Sequence, residues 1–186
     1  SIDWMVKENH LFASFDQLTK LVDWKNKYYP DAFFHMNHVP SQSWDHYLPR
    51  DGKVYNYEDF LTEYVNVILK RLKGCGRSLC LDNYPFIGEN YLEKDYLFDL
   101  MTAAKVTRAY NAEAAQEDQA VFGICIQTFE AKSMFDDRKR DITLPEEVTL
   151  QMYTGMALGA RLFEYFCYRS YNREMFGILD PDGNDR

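Results

Sequence analysis

Asp82 and Tyr84 in LCLDNYPF, Gln127 in VFGICIQTF, Glu164 in RLFEYFCYR, and His35 with Asn37 in AFFHMNHV are polar residues set into otherwise apolar runs. Carboxyls, an amide, a phenol and an imidazole gathered in one place can hydrogen-bond a polar ligand and exchange a proton with it. Whether they gather depends on which way each run points them. In an extended chain alternate residues face opposite sides. Ser78, Cys80, Asp82 and Tyr84 then share one side, against Leu79 and Leu81 on the other. Gly123, Cys125 and Gln127 oppose Phe122, Ile124 and Ile126. Phe33, His35 and Asn37 oppose Phe34 and Met36. Leu162, Glu164, Phe166 and Tyr168 oppose Phe163, Tyr165 and Cys167. Every run thus offers polar side chains to one common face and bulky hydrocarbon to the other. A buried polar group must find partners, and an interior hydrogen-bond network would account for any one of these residues alone. Asp82, Tyr84 and Gln127 together, each near the end of its run, point to a ligand site.

The elements between the runs read as helices. FASFDQLTKLVDWKNK, about residues 12–27, spaces Phe15, Leu18, Leu21, Val22 and Trp24 helically, and Pro30 follows as a breaker. YEDFLTEYVNVILKRLKG is strongly amphipathic and Gly74 is its expected stop. A long helix is expected from about Lys94 to Gln116, then a charged loop, EAKSMFDDRKRDIT, before a helix opened by Pro145, Glu146 and Glu147 and closed by Gly159. Strand starts fall near residues 32, 78, 121 and 161, each pair separated by a helix. That rhythm implies an α/β fold with parallel pairing and right-handed crossovers. No GxGxxG or P-loop follows any strand, which removes the usual nucleotide-binding version of such a fold. A complete (β/α)8 barrel needs about 250 residues. Four strands, a helical opening and a strand near the end read as residues 1–186 forming a single domain, a parallel (β/α) half-barrel equivalent to the later four strands of a TIM-type (β/α)8 barrel.

In order along the chain, DNYPF at one strand end, IQTF at the next, the PEEVTLQMYTGMALGAR helix and LFEYFCY resemble the second half of a glycoside hydrolase (β/α)8 barrel. The likeness is to β-galactosidase- and cellulase-like groups and to glycosidase-like barrels from gut bacteria. It spans about residues 12–170 and includes Gln151, Tyr153, Ala157, Gly159 and Ala160 in a Q-x-Y-x-x-x-A-x-G-A passage. The resemblance implies a carbohydrate-active protein acting on O-glycosidic bonds through two carboxyl groups. Asp82 is then the first candidate for a functional carboxylate, with Glu164 as an inward acid on the last strand and Glu130 as a loop acid. His35, Asn37, Trp44, Tyr84, Gln127 and Tyr168 would contact the sugar. Two departures from the family pattern matter. The strand that normally carries the acid/base Glu would precede Ser1, and the seventh-strand position holds Gln127, an amide that cannot be a nucleophile. Little or no hydrolysis is therefore expected of this segment alone, and a non-catalytic carbohydrate-binding or scaffold barrel is the alternative. Half a barrel exposes two sheet edges, so its expected partner is a missing N-terminal half-barrel or a second copy.

Composition excludes other classes. With 21 Lys+Arg against 29 Asp+Glu the net charge is −8, unsuited to a phosphate backbone, so no nucleic-acid partner is expected. No apolar run approaches a membrane span, and no signal-peptide core opens the chain, which favours the cytoplasm unless a signal has been removed. Cys75, Cys80, Cys125 and Cys167 show no CxxC spacing and read as buried thiols. No cofactor is implied. His35, His38 and His46 with Asp45 suggest a metal set, but no metal site is expected, because residues 35 and 38 of a strand point to opposite faces and do not easily share one ion. DPDGND near the end is read as a turn and not a calcium loop, since the distal Glu is lacking.

Overall fold

The computed structural model describes residues 15–41, 56–74, 76–86, 94–128, 130–131, 145–167 and 175–176. Helix α1 (Phe15–Tyr28) buries Phe15, Leu18 and Val22. Its apolar stripe is narrower than the spacing suggests, for Leu21 and Trp24 are exposed, and Trp24 packs against Tyr28 and Tyr29 at ring-centroid distances of 5.8 and 5.2 Å.

Helix α2 (Tyr57–Val67) starts where the Asn56 side chain accepts a hydrogen bond from the Asp59 N–H at 2.8 Å. An N-terminal N–H otherwise lacks a partner. The amphipathic pattern predicts one helix to Gly74, but α2 gives way to a 3-10 turn, Leu69–Arg71. The cause is Arg77, whose guanidinium donates to the carbonyls of Leu69, Leu72 and Gly74 at 3.1, 2.5 and 3.4 Å. Those carbonyls are satisfied from outside the helix, so the chain can tighten and turn. Gly74 still has a left-handed φ of 77°.

Helix α3 (Lys94–Glu113) and helix α4 (Pro145–Leu158) follow the expected spans closely. At the end of α4 the Gly159 N–H donates to Met156 O and the Ala160 N–H to Gly155 O, at 3.0 and 2.8 Å, with Gly159 at φ 93°. This paired bonding closes a helix through a glycine, the residue the sequence places there.

Strands β1 (Asn37–His38), β2 (Ser78–Leu81), β3 (Val121–Gln127) and β5 (Leu162–Phe166) form one parallel sheet in the order β1-β2-β3-β5. The order never reverses. α2, α3 and α4 lie in the three crossovers and pack on the same face of the sheet, in one core with Leu79, Leu81, Phe122, Ile124 and Ile126. A mixed helix–strand fold built on a parallel sheet is what the alternation of elements predicted. Two details differ. The first strand begins at residue 37 and not near 32, since only Asn37 and His38 lie in register with β2, opposite Cys80 and Leu81. The charged segment after Gln127, expected to be all loop, begins with β4 (Glu130–Ala131), which pairs antiparallel with β6 (Met175–Phe176). Among the described residues no helix is long and apolar enough to cross a membrane.

Candidate functional site

Register settles which side chains share a surface. Cys80 lies beside Gly123 and Gly123 beside Leu162; Cys125 lies beside Glu164, and Gln127 beside Phe166. Parallel neighbours point the same way. Asn37, Ser78, Cys80, Asp82, Gly123, Cys125 and Glu164 therefore occupy the face opposite the helices. The alternation in the sequence assigned them to that face.

Asp82 follows the last residue of β2, and its neighbours explain the odd end of LCLDNYPF. Asn83, turned the other way, is buried, and its Nδ2 donates to Asp99 Oδ2 on α3 at 2.9 Å. The same oxygen accepts the Ser41 N–H at 2.9 Å, tying the segment after β1 to that after β2. Three residues after Asn83, the Phe86 N–H donates to Gln127 Oε1 at 3.1 Å. Asp82 and Tyr84 are thus held on the open face by anchors on either side. The short polar stretch is a clamp on the strand end.

Burial raises the Asp82 carboxyl above its ordinary range; hydrogen bonds from Tyr84 and Cys125 oppose this, and the charge of Glu164 adds to it. Oδ1 of Asp82 has no hydrogen-bond partner among the described residues. Cys125 is pushed up to about 12, mainly by burial, and Cys80 is raised by burial and by Glu164, Cys125 and Asp82. Both thiols are protonated at neutral pH, and neither is a nucleophile in this state. The Tyr84 hydroxyl lies 3.5 Å from Cys125 Sγ, and its ring stacks at 6.0 Å from Phe166.

Beside them, His35 Nε2 lies 3.0 Å from Glu164 Oε1 and 2.7 Å from Asn37 Oδ1. Two acceptors on one nitrogen place the proton on Nε2, leaving Nδ1 toward Ser78 Oγ at 3.4 Å. His38 behaves quite differently. It sits on the helix side, edge-on to Tyr64 at 4.2 Å, and burial with the charge of His35 lowers it to about 3, so it is neutral. The two histidines do face opposite ways.

Gly123 is the floor of this arrangement. A Cβ there would stand 3.0 and 3.1 Å from Leu162 Cδ2 and Cβ, and 3.2 Å from Cys80 Sγ. Gly123→Ala is expected to cost about 1–2 kcal/mol of stability, because a Cβ–Cβ clash across strands cannot be relieved by a rotamer change. A thermal melt identical to wild type would show that Cys80 and Leu162 do not close over this position.

Of the residues singled out from sequence, the fold brings His35, Asn37, Asp82, Tyr84 and Glu164 to one face. Gln127 is fully buried: besides holding Phe86, its backbone N–H donates to Gln151 Oε1 at 2.8 Å and its carbonyl accepts from Gln151 Nε2 at 3.2 Å. It serves as a joint between strand ends. Glu130 lies in β4 opposite Phe176, and Trp44, Tyr168, His46 and Asp45 lie outside the described residues. Sequence reading passed over Cys80 and Ser78 as site residues. Their parity with Asp82 was the signal, but an apolar run makes a cysteine read as core. No family model, curated protein or solved structure matches this chain.

Proposed function

We propose that this chain forms part of the wall of a carbohydrate-active, glycoside hydrolase-like (β/α)8 barrel, with the sugar lying against the polar face of the sheet at the strand ends. One observation carries the reading: Glu164 lies beside Cys125, and the β2–β3 register continued one residue past Leu81–Ile124 sets Asp82 on the other side of Cys125, where both groups act on the Asp82 carboxyl. Two strand spacings put the Asp82 and Glu164 backbones about 9.5 Å apart, and the inward curvature of a barrel wall would bring the carboxyls closer. Glycosidases work with carboxyls about 5–9.5 Å apart. A carboxyl raised by burial and by a second carboxylate is suited to hold a proton for a leaving oxygen. Tyr84 and Phe166 offer an aromatic wall for a sugar ring, and His35 and Asn37 offer hydrogen bonds. The unreversed strand order with helices on one face also suits a barrel wall better than a doubly wound sheet, which carries helices on both. In this reading β1 and β5 are where the remaining strands add, supplied by an N-terminal half-barrel or by a second copy.

The test is saccharide binding by this chain, followed by ligand-observed NMR over a panel of mono- and oligosaccharides. Binding is expected, weakened at least tenfold by Asp82→Ala, with no turnover of aryl glycosides above background by the chain alone. A panel without a binder, or binding that Asp82→Ala leaves intact, would overturn the proposal. A second reading, a barrel that binds carbohydrate without cleaving it, is favoured by Gln127. An amide already committed to the Phe86 N–H is neither a nucleophile nor available to position one.

A further inference from the structure

Three side chains of different chemistry converge on the face opposite the helices without having been expected to act together. An imidazole nitrogen of His35, Sγ of Cys80 and a carboxylate oxygen of Glu164 all lie within 4.8 Å of one another. They come from the segment leading into β1, from β2 and from β5. β3 runs between the last two, with its Gly123 level with Cys80 and its Cys125 level with Glu164, and a Cβ at Gly123 would stand 3.2 Å from Cys80 Sγ. We infer that His35, Cys80 and Glu164 form a binding site for a divalent transition-metal ion of the zinc class.

Ligand type selects the ion. A thiolate and an imidazole suit Zn2+ or Co2+, whereas Mg2+ and Ca2+ take oxygen ligands. Geometry agrees. Zinc bonds of about 2.0–2.3 Å in a tetrahedral site set ligand atoms about 3.3–3.8 Å apart, so no pair need close by more than about 1.5 Å. The His35–Glu164 contact must open slightly from 3.0 Å. His35 and Glu164 side chains are 27% and 31% exposed, so an ion can reach them, while Cys80 is fully buried beneath. The Cys80 S–H proton leaves to solvent, and the thiolate binds the cation. The Nε2 proton of His35 is lost to solvent while Nδ1 takes one up, and Nδ1–H then donates to Ser78 Oγ, the outer partner that fixes a ligating imidazole. One proton is released per ion. The Glu164 carboxylate beside Cys80 supplies negative charge that favours a dication at this point.

Three protein ligands leave a fourth position for water or for a ligand hydroxyl, as in catalytic and not in structural zinc sites. With the ion bound, Glu164 is a ligand and not a free carboxylate, which leaves Asp82 as the unbound acid of this face.

The test uses the full, untagged chain freed of metal by chelator dialysis. Zn2+ titration should show one equivalent bound with release of one proton. Co2+ substitution should give the near-ultraviolet thiolate charge-transfer band and the visible bands of a tetrahedral ion. Cys80→Ser should abolish the thiolate band and weaken Zn2+ at least about 100-fold, more than a lost outer-shell contact would. His35→Gln should weaken binding comparably while keeping the band at high Co2+. Cys125→Ser should change neither. If Cys80→Ser does not fold, His35→Gln, at a half-exposed position, carries the test with Cys125→Ser. Failure to bind Zn2+ in stoichiometric amount, a Co2+ spectrum without the thiolate band, or equal losses in the Cys125 variant would overturn the inference. Zinc binding without saccharide binding would leave this site standing and remove the carbohydrate reading; saccharide binding without zinc would do the reverse.

Discussion

Replacing Arg77 by alanine is expected to cost about 3–5 kcal/mol of stability, mainly from backbone carbonyls that lose a buried donor, since its ion-pair partner Asp118 is half-exposed and is left facing water. Arg77 is among the most buried charged residues of the fold. Its guanidinium ties the carbonyls of Leu69, Leu72 and Gly74 and pairs with Asp118 at 2.6 Å. One side chain thereby fixes the turn leaving α2, the approach to β2 and the 3-10 turn, Gln116–Asp118, that precedes β3. Truncation takes the guanidinium donors from the Leu72 and Gly74 carbonyls and leaves the Leu69 carbonyl only the Leu72 N–H at 3.2 Å, and each orphaned carbonyl costs about 1–3 kcal/mol. At about 2–4 °C per kcal/mol for a chain of this size, the melting temperature should fall by roughly 6–20 °C. Arg77→Lys should recover less than half of the loss, since one ammonium cannot reproduce a planar fork aimed at several acceptors. An Arg77→Ala melt within about 2 °C of wild type would show that the turn is held by something else. Because β2 carries Cys80 and leads into Asp82, this variant should also blunt ligand binding at the open face in proportion to its unfolded fraction.

Asp99 provides the second large effect, and here the sign matters. Burial raises its carboxyl to about 6, against an ordinary 3.8; hydrogen bonds from Ser41 oppose the rise and the charge of Asp95 adds to it. A carboxyl raised in the folded state contributes stability that is fully present below about pH 4 and lost as pH climbs through 6. His38 acts oppositely. Lowered to about 3, it makes folding less favourable as pH drops below 6.5, so stability from this group rises with pH over nearly the same window. The two contributions offset each other in wild type, and the pH profile between 4 and 6 should be shallow. Asp99→Asn removes one of them. An amide oxygen can still accept from Ser41 and Asn83, so the clamp behind DNYPF is kept. Between pH 4 and pH 7 the variant should gain on wild type by about 2–3 kcal/mol, read from urea midpoints at each pH. A difference between the two proteins that does not change with pH would mean that Asp99 is not held in its proton-binding range.

Both variants test parts of the molecule that composition and spacing do not announce. In sequence Arg77 is one basic residue in the short GCGRS stretch, and Asp99 an acid within a helix. Each acquires its role only when elements distant along the chain close over it. The site shows the same division. Period-two alternation correctly set Asp82, Tyr84 and Glu164 on one face and Leu79, Ile124 and Phe163 on the other, because side-chain direction in a strand is a local, geometric property. Gln127 obeys that parity and yet is buried as a joint, since the Phe86 N–H and the Gln151 side chain reach it from elsewhere.

By itself the sequence determined the helices, the four-strand rhythm, the stop at Gly159 and the split between polar and apolar strand faces. All of these follow from spacing within one segment. Tertiary structure alone decided how short β1 is, that Glu130 enters a second small sheet, that α2 gives way to a 3-10 turn before Gly74, and that His35, Cys80 and Glu164 come within reach of one another. Those outcomes depend on register between strands and on which donor finds an orphaned acceptor. Parity within each run sets residues 35, 80 and 164 on one face, but only the lateral order β1-β2-β3-β5 brings them together.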